Sequence, residues 1–259
     1  MTTTQPPSPA PQAPDRTLRW DGCINVRDVG GLPTQPSGVT RWRALVRADS
    51  VRTLTDLGWG SLLGYGVRTI IDLRTPEECE KDPARQVPLE VVRVPIVGRT
   101  PDEIRAAREA GKLASSFEAA TAVYLDLLER EKASFAYAAA SFANAEEGTV
   151  VVHCAAGKDR TGLLVAMLLA VAGVPPASIV EDYRVSAPNI AAAYQGWIAA
   201  GETETERELR RALIASPPEA MAGVLEHLDV AHGGAAGYLR AAGVTDESLA
   251  LVRTRLVAG

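Results

Sequence analysis

Apolar and polar positions follow two alternating patterns along the first two thirds of the chain and one pattern thereafter. Short apolar, β-branched runs at "RALVRADS" (43–50), "VRTIIDLRTPEE" (67–78), "LEVVRVPI" (89–96) and "TVVVHC" (149–154) predict strands. Between them, "VRTLTDLGWGSLLGYG" (51–66) spaces its apolar residues as a helix does until glycines end it. "TPEE" (75–78) starts another helix, with a Thr cap, a first-turn Pro and acidic residues, and "TPDEIRAAREAGKL" (100–113) repeats that signature. From Phe117 to about Phe142 there are few breakers and many alanines and leucines, which predicts helix. Strands alternating with helices give an α/β fold, with a mainly parallel central sheet flanked by helices on both faces. In such sheets chemistry gathers at the carboxyl ends of the strands.

Beyond Val174 only helical patterns remain. "PPASIVEDYRVSAPNIAAAYQGW", "ETETERELRRALI", "PPEAMAGVLEHLDV", "GGAAGYLRAAG" and "TDESLALVRTRLV" read as successive helices punctuated by Pro and Gly. These additional C-terminal helices, residues 175–259, form either an outer layer or a lid of a single domain over 18–259. Residues 1–17, rich in proline and small polar residues, read as a disordered tail. The chain start lacks the basic and apolar regions of a signal peptide, which suggests a cytoplasmic protein while leaving non-standard secretion open. "GLLVAMLLAVAGV" (162–174) is shorter than the about 20 apolar residues of a membrane-spanning helix, so it predicts a buried core helix and no transmembrane segment.

Composition narrows the function classes. A formal charge of -5 does not favour a nucleic-acid partner. Cys23, Cys79 and Cys154 lie far apart without a CxxC pair, and His153, His227 and His232 are the only histidines, with the last two on different predicted elements. That pattern predicts neither a disulfide scaffold nor a metal site, and nothing in the chain calls for a cofactor. Tyr183, Tyr194, Trp197 and Tyr238 in the helical part are core or interface residues, or the walls of a pocket if that part forms a lid. The sequence sets no oligomeric state.

The concentrated chemistry lies in "VVHCAAGKDRTG", residues 151–162. If "TVVVH" is a buried strand and a helix starts near Thr161, "CAAGKDR" is the turn between them, a phosphate loop whose amides and helix N-terminus converge on one point. Ala155 and Ala156 let the backbone curl around a ligand, and Gly157 permits a turn that a Cβ would hinder. Arg160 offers a planar fork for two phosphoryl oxygens, and Lys158 adds a mobile positive charge. Cysteines in such surroundings ionise at roughly 3.5 to 7.5, so Cys154 is a nucleophile for phosphorus, giving a phosphocysteine that water hydrolyses without a metal. His153 orients the loop, while Thr161 donates to the departing sulfur, caps the helix, or does both. A Walker A loop is excluded because Val152 and Asp159 stand where that motif needs Gly and Ser or Thr.

"HCAAGKDRTG" matches the HCxxGxxR(S/T) signature of the protein tyrosine phosphatase superfamily. It resembles the bacterial tyrosine phosphatase family whose signature reads HCxxGKDRTG, including the mycobacterial secreted tyrosine and lipid phosphatase type. "NVRDVGG" (25–31), "LVRADS" (45–50) and "IIDLRTPEE" (70–78) resemble its other motifs in the same order, over residues 18 to 257. The resemblance implies a phosphoric monoester hydrolase acting on phosphotyrosine proteins, with broad or dual specificity in some members. Cys154 would be the nucleophile, and Arg160 with the amides of Ala155 to Thr161 the phosphate cradle. The Lys158–Asp159 pair also resembles that of phosphoinositide phosphatases, which makes lipid substrates the alternative. A sulfurtransferase or arsenate reductase would leave most of these motifs unexplained. A catalytically weak phosphate-binding module is the reading if no acid reaches the pocket.

The general acid is open. No Trp-Pro-Asp loop occurs, and Gly98 stands where some relatives carry an acidic residue. Asp159, inside the loop, resembles the aspartate of myotubularin-like lipid phosphatases; Asp102, after the third long strand, is the alternative. Asp72 and Arg74 at a strand end form a structural ion pair or brace the loop, and Asn25, Arg27 and Asp28 position an early turn beside the site.

Overall fold

The computed structural model describes residues 15–80, 82, 87–98, 103 and 116–258. The apolar runs pair into one sheet made of β1 (Arg27–Asp28), β2 (Leu45–Ala48), β3 (Val67–Asp72), β4 (Glu90–Arg93) and β5 (Thr149–His153). Their order is β1-β2-β5-β3-β4, parallel throughout except for the antiparallel β1 edge. β5 is central, and its side chains alternate between two cores. Val150 and Val152 join the larger one, while Val151 joins a smaller one with Trp20, Val46, Leu62 and Ile70. Burial on both faces explains why β5 reads as an unbroken apolar run.

Helices α1 (Asp56–Gly64), α2 (Pro76–Cys79), α3 (Ser116–Arg130), α4 (Lys132–Asn144) and α5 (Asp159–Val171) alternate with the strands. The breaker-poor stretch expected from Phe117 to Phe142 divides at Glu131 into α3 and α4. α2 carries a full capping box, in which Thr75 Oγ1 accepts from the Glu78 amide and Glu78 Oε2 accepts from the Thr75 amide. α5 is the expected core helix, with Leu163 to Leu169 all at most 2% exposed. No helix among the described residues is long and apolar enough to cross a membrane.

The C-terminal helices divide into two groups. α9 (Pro218–His232), α10 (Ala235–Ala241) and α11 (Asp246–Leu256) place Met221, Val224, Leu239 and Val252 in the large core. α6 (Pro176–Arg184) buries Ile179, Asp182 and Tyr183 against the body. By contrast, α7 (Ser186–Ala199) buries only Ser186 and Ile190, and α8 (Glu204–Ile214) buries nothing, so these two pack on each other as an outer arm. Tyr183 and Tyr238 are core residues, whereas Tyr194 and Trp197 lie on the arm with ring centroids 6.0 Å apart. His227 and His232 both lie on α9, a correction to their expected separation; the element simply extends past Val230.

Residues 1–14 of the expected tail lie outside the described residues; of the next three, Asp15 and Thr17 are exposed and Arg16 is half-buried. Arg16 pairs with Asp182 at 2.7 Å, and Thr17 bridges to Arg27. The Arg16 charge meets a buried partner that local composition does not reveal.

Candidate active site

The phosphate loop follows β5, and every carbonyl from Ala155 to Lys158 is drawn to a donor elsewhere. Ala155 O accepts from the Ser50 amide at 3.0 Å and Ala156 O from Asn25 Nδ2 at 2.9 Å. Gly157 O accepts from Arg47 Nη2 at 2.8 Å, and Lys158 O from the Gly162 amide at 2.9 Å. With the carbonyls so occupied, the amides of residues 155 to 160 have no acceptor among the described residues. A run of amides without protein acceptors at a helix N-terminus can serve as an anion cradle. Gly157 makes the turn feasible, since its φ is +66° and a Cβ there would lie 2.4 Å from Ala48 O.

Cys154, 3% exposed, sits at the floor of this turn. Thr161 Oγ1 is buried without a hydrogen-bond partner. His153 is fully buried, with Nδ1 3.2 Å from Cys154 O and Nε2 3.6 Å from Asp72 Oδ1. Burial pushes its pKa down against the pull of Asp72, which favours the neutral ring.

Arg160 reaches back toward the strand ends. Its Nη1 and Nη2 donate to Glu78 Oε2 and Oε1 at 2.6 and 2.7 Å, and Nη1 also lies 3.3 Å from the carbonyls of Leu73 and Ile96. Burial alone would lower its pKa, but Glu78 and the Cys154 charge outweigh it and push it up. Glu78 thus closes the capping box of α2 and grips the arginine at once. Asp72 and Arg74 form the expected ion pair at 2.7 Å, with Arg74 also donating to Asp82 at 2.6 Å. Asp72, Cys79 and Asp82 have ligand atoms within 4.8 Å of one another, but the Arg74 guanidinium already donates to both carboxylates.

The early motif supports the loop indirectly. Asn25 takes its place through its amide, which donates to Asp49 Oδ1 at 2.9 Å, and its Oδ1 accepts from Arg27 Nη1 at 2.7 Å. Arg27 and Arg47 both donate to Asp182, at 3.1 and 2.6 Å, so one buried carboxylate of α6 holds two guanidiniums that in turn hold the loop. Burial would raise the Asp182 pKa, yet Arg27, Arg47 and Arg16 hold it well below the carboxylate range. Asp28 lies farther off, accepting from Tyr65 Oη at 2.6 Å and from the amides of Gly30 and Arg43.

At the open side, Asp159 is 41% exposed and pairs with Lys158 Nζ at 3.0 Å. Tyr124 of α3 donates to Asp159 Oδ1. The expectation of a mobile charge at Lys158 is corrected. Its side chain is buried, and Nζ donates to Leu213 O and Ala215 O, both at 2.7 Å, tying the loop to the end of α8. Tyr194 of the arm has its pKa raised by burial and then by the charges of Cys154, Asp159, Asp49 and Glu78, which places its phenol in the field of the site. Asp102 lies outside the described residues.

Sequence reasoning did not single out Glu78, Tyr124, Arg47 or Asp182, whereas Tyr194 was among the aromatics expected as core or pocket wall. Glu78 and Arg47 do stand within quoted motifs, so a search for charges at strand ends could have found them. Tyr124 carries no local signal.

A strand, a cysteine-to-arginine turn and a helix, with outward-tied carbonyls, meet at one end of the parallel sheet. Residues 18–258 match the model of the tyrosine phosphatase family, and the chain belongs to that family. It is a phosphoric monoester hydrolase and a protein tyrosine phosphatase by family. It is 29% identical over 227 residues to a tyrosine-protein phosphatase of Nostoc commune, covering 82% of this chain and 74% of that one. It is 26% identical to the triple specificity protein phosphatase PtpB of Mycobacterium tuberculosis, covering 90% of this chain and 96% of that one. A solved structure of P. aeruginosa TpbA in complex with pTyr overlaps 67% of this chain and 79% of its own at 18% identity and a TM-score of 0.35.

Proposed function

We propose that residues 18–259 form one phosphatase domain that hydrolyses phosphotyrosine through a phosphocysteine. The outward-tied carbonyls, which leave six consecutive amides for an anion, carry this reading. Cys154 Sγ attacks phosphorus as the phosphorus–oxygen bond to the leaving phenol breaks, and Arg160 with the loop amides holds the three equatorial oxygens. Asp159 gives its proton to the leaving oxygen. In the second step Asp159 takes a proton from the attacking water, and Thr161 Oγ1, otherwise unpartnered, donates to the departing sulfur. His153, Asn25 and the Asp72–Arg74 pair act through the loop and strand ends and touch no reacting atom. Tyr194 forms part of the wall beside the substrate ring.

Breadth toward phosphoserine, phosphothreonine and phosphoinositides is the second reading; the M. tuberculosis relative is named a triple specificity protein phosphatase. The tether of Lys158 to two backbone carbonyls speaks against its serving extra inositol phosphates. The test is phosphate release from matched phosphotyrosine, phosphoserine and phosphoinositide substrates, by wild type and Cys154→Ser, in chelator and reductant. Phosphotyrosine turnover lost in the variant supports the mechanism; a variant as active as wild type rejects the nucleophile. The ratio among wild-type substrates decides the breadth.

A further inference from the structure

Tyr124 is 4% exposed and Tyr183 is 1% exposed, yet their hydroxyls lie 2.7 Å apart in the core beside the phosphate loop. Because Tyr124 donates to Asp159 Oδ1, its own oxygen is left to accept from the Tyr183 hydroxyl. The rings meet edge to face with centroids 6.2 Å apart, so packing locks the pair from both sides. Burial and then the Asp159 charge push the Tyr124 phenol well above its ordinary pKa, which keeps it a donor. Lys158 Nζ approaches the same oxygen at 3.0 Å. Oδ2 has no hydrogen-bond partner among the described residues.

We infer that Tyr124 is a positioning residue that selects Asp159 Oδ2 as the atom delivering the proton to the leaving oxygen. This rests on the reading of Asp159 as general acid. A protonated carboxyl has one carbonyl oxygen and one hydroxyl oxygen, and the Tyr124 hydroxyl donating to Oδ1, with the Lys158 charge 3.0 Å from it, makes Oδ1 the carbonyl. The proton therefore resides on Oδ2, on the side without protein donors. Tyr183 orients the Tyr124 hydroxyl, so a relay of two phenols from α6 and α3 aims a carboxyl that sits on a third element. The network also explains why two polar tips are tolerated in an apolar core: the hydroxyls pair with each other, and Tyr124 reaches Asp159.

The test uses a leaving-group series, since a proton donor matters for a poor leaving group and little for a good one. Steady-state kinetics of wild type, Asp159→Asn, Tyr124→Phe and Tyr183→Phe would be measured on phenyl phosphate and on dinitrophenyl phosphate. Asp159→Asn is expected to lower kcat/KM, which reports phosphocysteine formation and not its shared hydrolysis, by about 10²-fold or more on phenyl phosphate and far less on the dinitrophenyl ester. Tyr124→Phe should follow the same leaving-group dependence at roughly tenfold, with KM little changed, and Tyr183→Phe should follow it more weakly. Adding Tyr124→Phe to Asp159→Asn should cost nothing further on phenyl phosphate. If Asp159→Asn shows the dependence and Tyr124→Phe slows both esters equally or neither, the positioning role is overturned while the acid assignment stands. If Asp159→Asn lowers kcat/KM equally on both esters, the acid assignment itself falls and the positioning role with it. Tyr183→Phe leaves the Tyr124–Asp159 bond in place and keeps the test decisive should Tyr124→Phe fold poorly.

Discussion

Two carboxylate–guanidinium clusters flank the phosphate loop, and they differ in what their arginines are free to do. Asp182 is 1% exposed and holds Arg16, Arg27 and Arg47, which also donate to Asn25, Ser186 and the Gly157 carbonyl. Glu78 is 32% exposed and holds Arg160 alone, with both of its oxygens on the two terminal nitrogens. The first cluster is a fixed joint, because a buried charge stripped of partners is strongly unfavourable. The second is a grip on the arginine proposed above to bind phosphate. Solvent access at Glu78 lowers the cost of rearranging that grip, while the joint beneath keeps the amides aimed. A loop can therefore be rigid in its backbone and adjustable in its arginine.

The comparison breaks most visibly at Arg160. Arg160→Ala is expected to lower kcat/KM on a phosphotyrosine peptide by roughly 10³-fold or more while the denaturant midpoint hardly moves. A drop in stability as large as the drop in activity would make Arg160 a joint like Arg47. Asp182→Ala should do the reverse, costing about 3–5 kcal/mol of unfolding free energy by leaving guanidiniums buried without a counter-charge. The folded Asp182 carboxyl is held well below its ordinary 3.8, so its stabilisation is present above that value and is lost as pH falls toward the folded pKa. Asp182→Asn should accordingly flatten the fall in stability below about pH 4, read from urea midpoints against pH. An unchanged acid limb would mean that the cluster is not ionised as drawn.

Glu78→Gln sharpens the contrast. Partial exposure limits its effect on stability to under about 1 kcal/mol. Loss of the bidentate grip should nonetheless lower kcat/KM about tenfold, through an arginine less well aimed. Smallest of all, Arg207→Ala on the exposed arm, which breaks the 2.9 Å pair with Glu204, should change stability by less than about 0.5 kcal/mol. A larger loss there would show that the arm is bound more tightly than its lack of buried residues indicates.

The strands, the core helix and the cysteine turn were legible because each is written in consecutive residues: an apolar run, a reactive turn, then small and apolar residues. The Thr75 cap was legible for the same reason, but the second use of Glu78 was not, since Arg160 is brought to it across 82 positions. Arg47 stood inside a quoted motif and still gave no hint of Asp182, 135 residues away. Tyr124 was hidden because an aromatic within an alanine-rich helix looks like any core residue until the fold sets Asp159 against its hydroxyl. Lys158 misled because a lysine beside an arginine in a loop suggests solvent, whereas here two carbonyls from α8 and the segment after it await it.

The four loop carbonyls are held by Ser50, Asn25, Arg47 and Gly162, three of which come from the first fifth of the chain. A nascent polypeptide completes this signature only after those anchors have been made, and a chain deprived of them keeps every residue from His153 to Thr161 without the geometry. Turnover is therefore a late event in folding, one that reports closure of contacts more than a hundred residues apart rather than formation of the loop itself. Partly folded or proteolytically nicked molecules would hold the thiol but not the cradle, so phosphatase activity doubles as a readout of the finished fold.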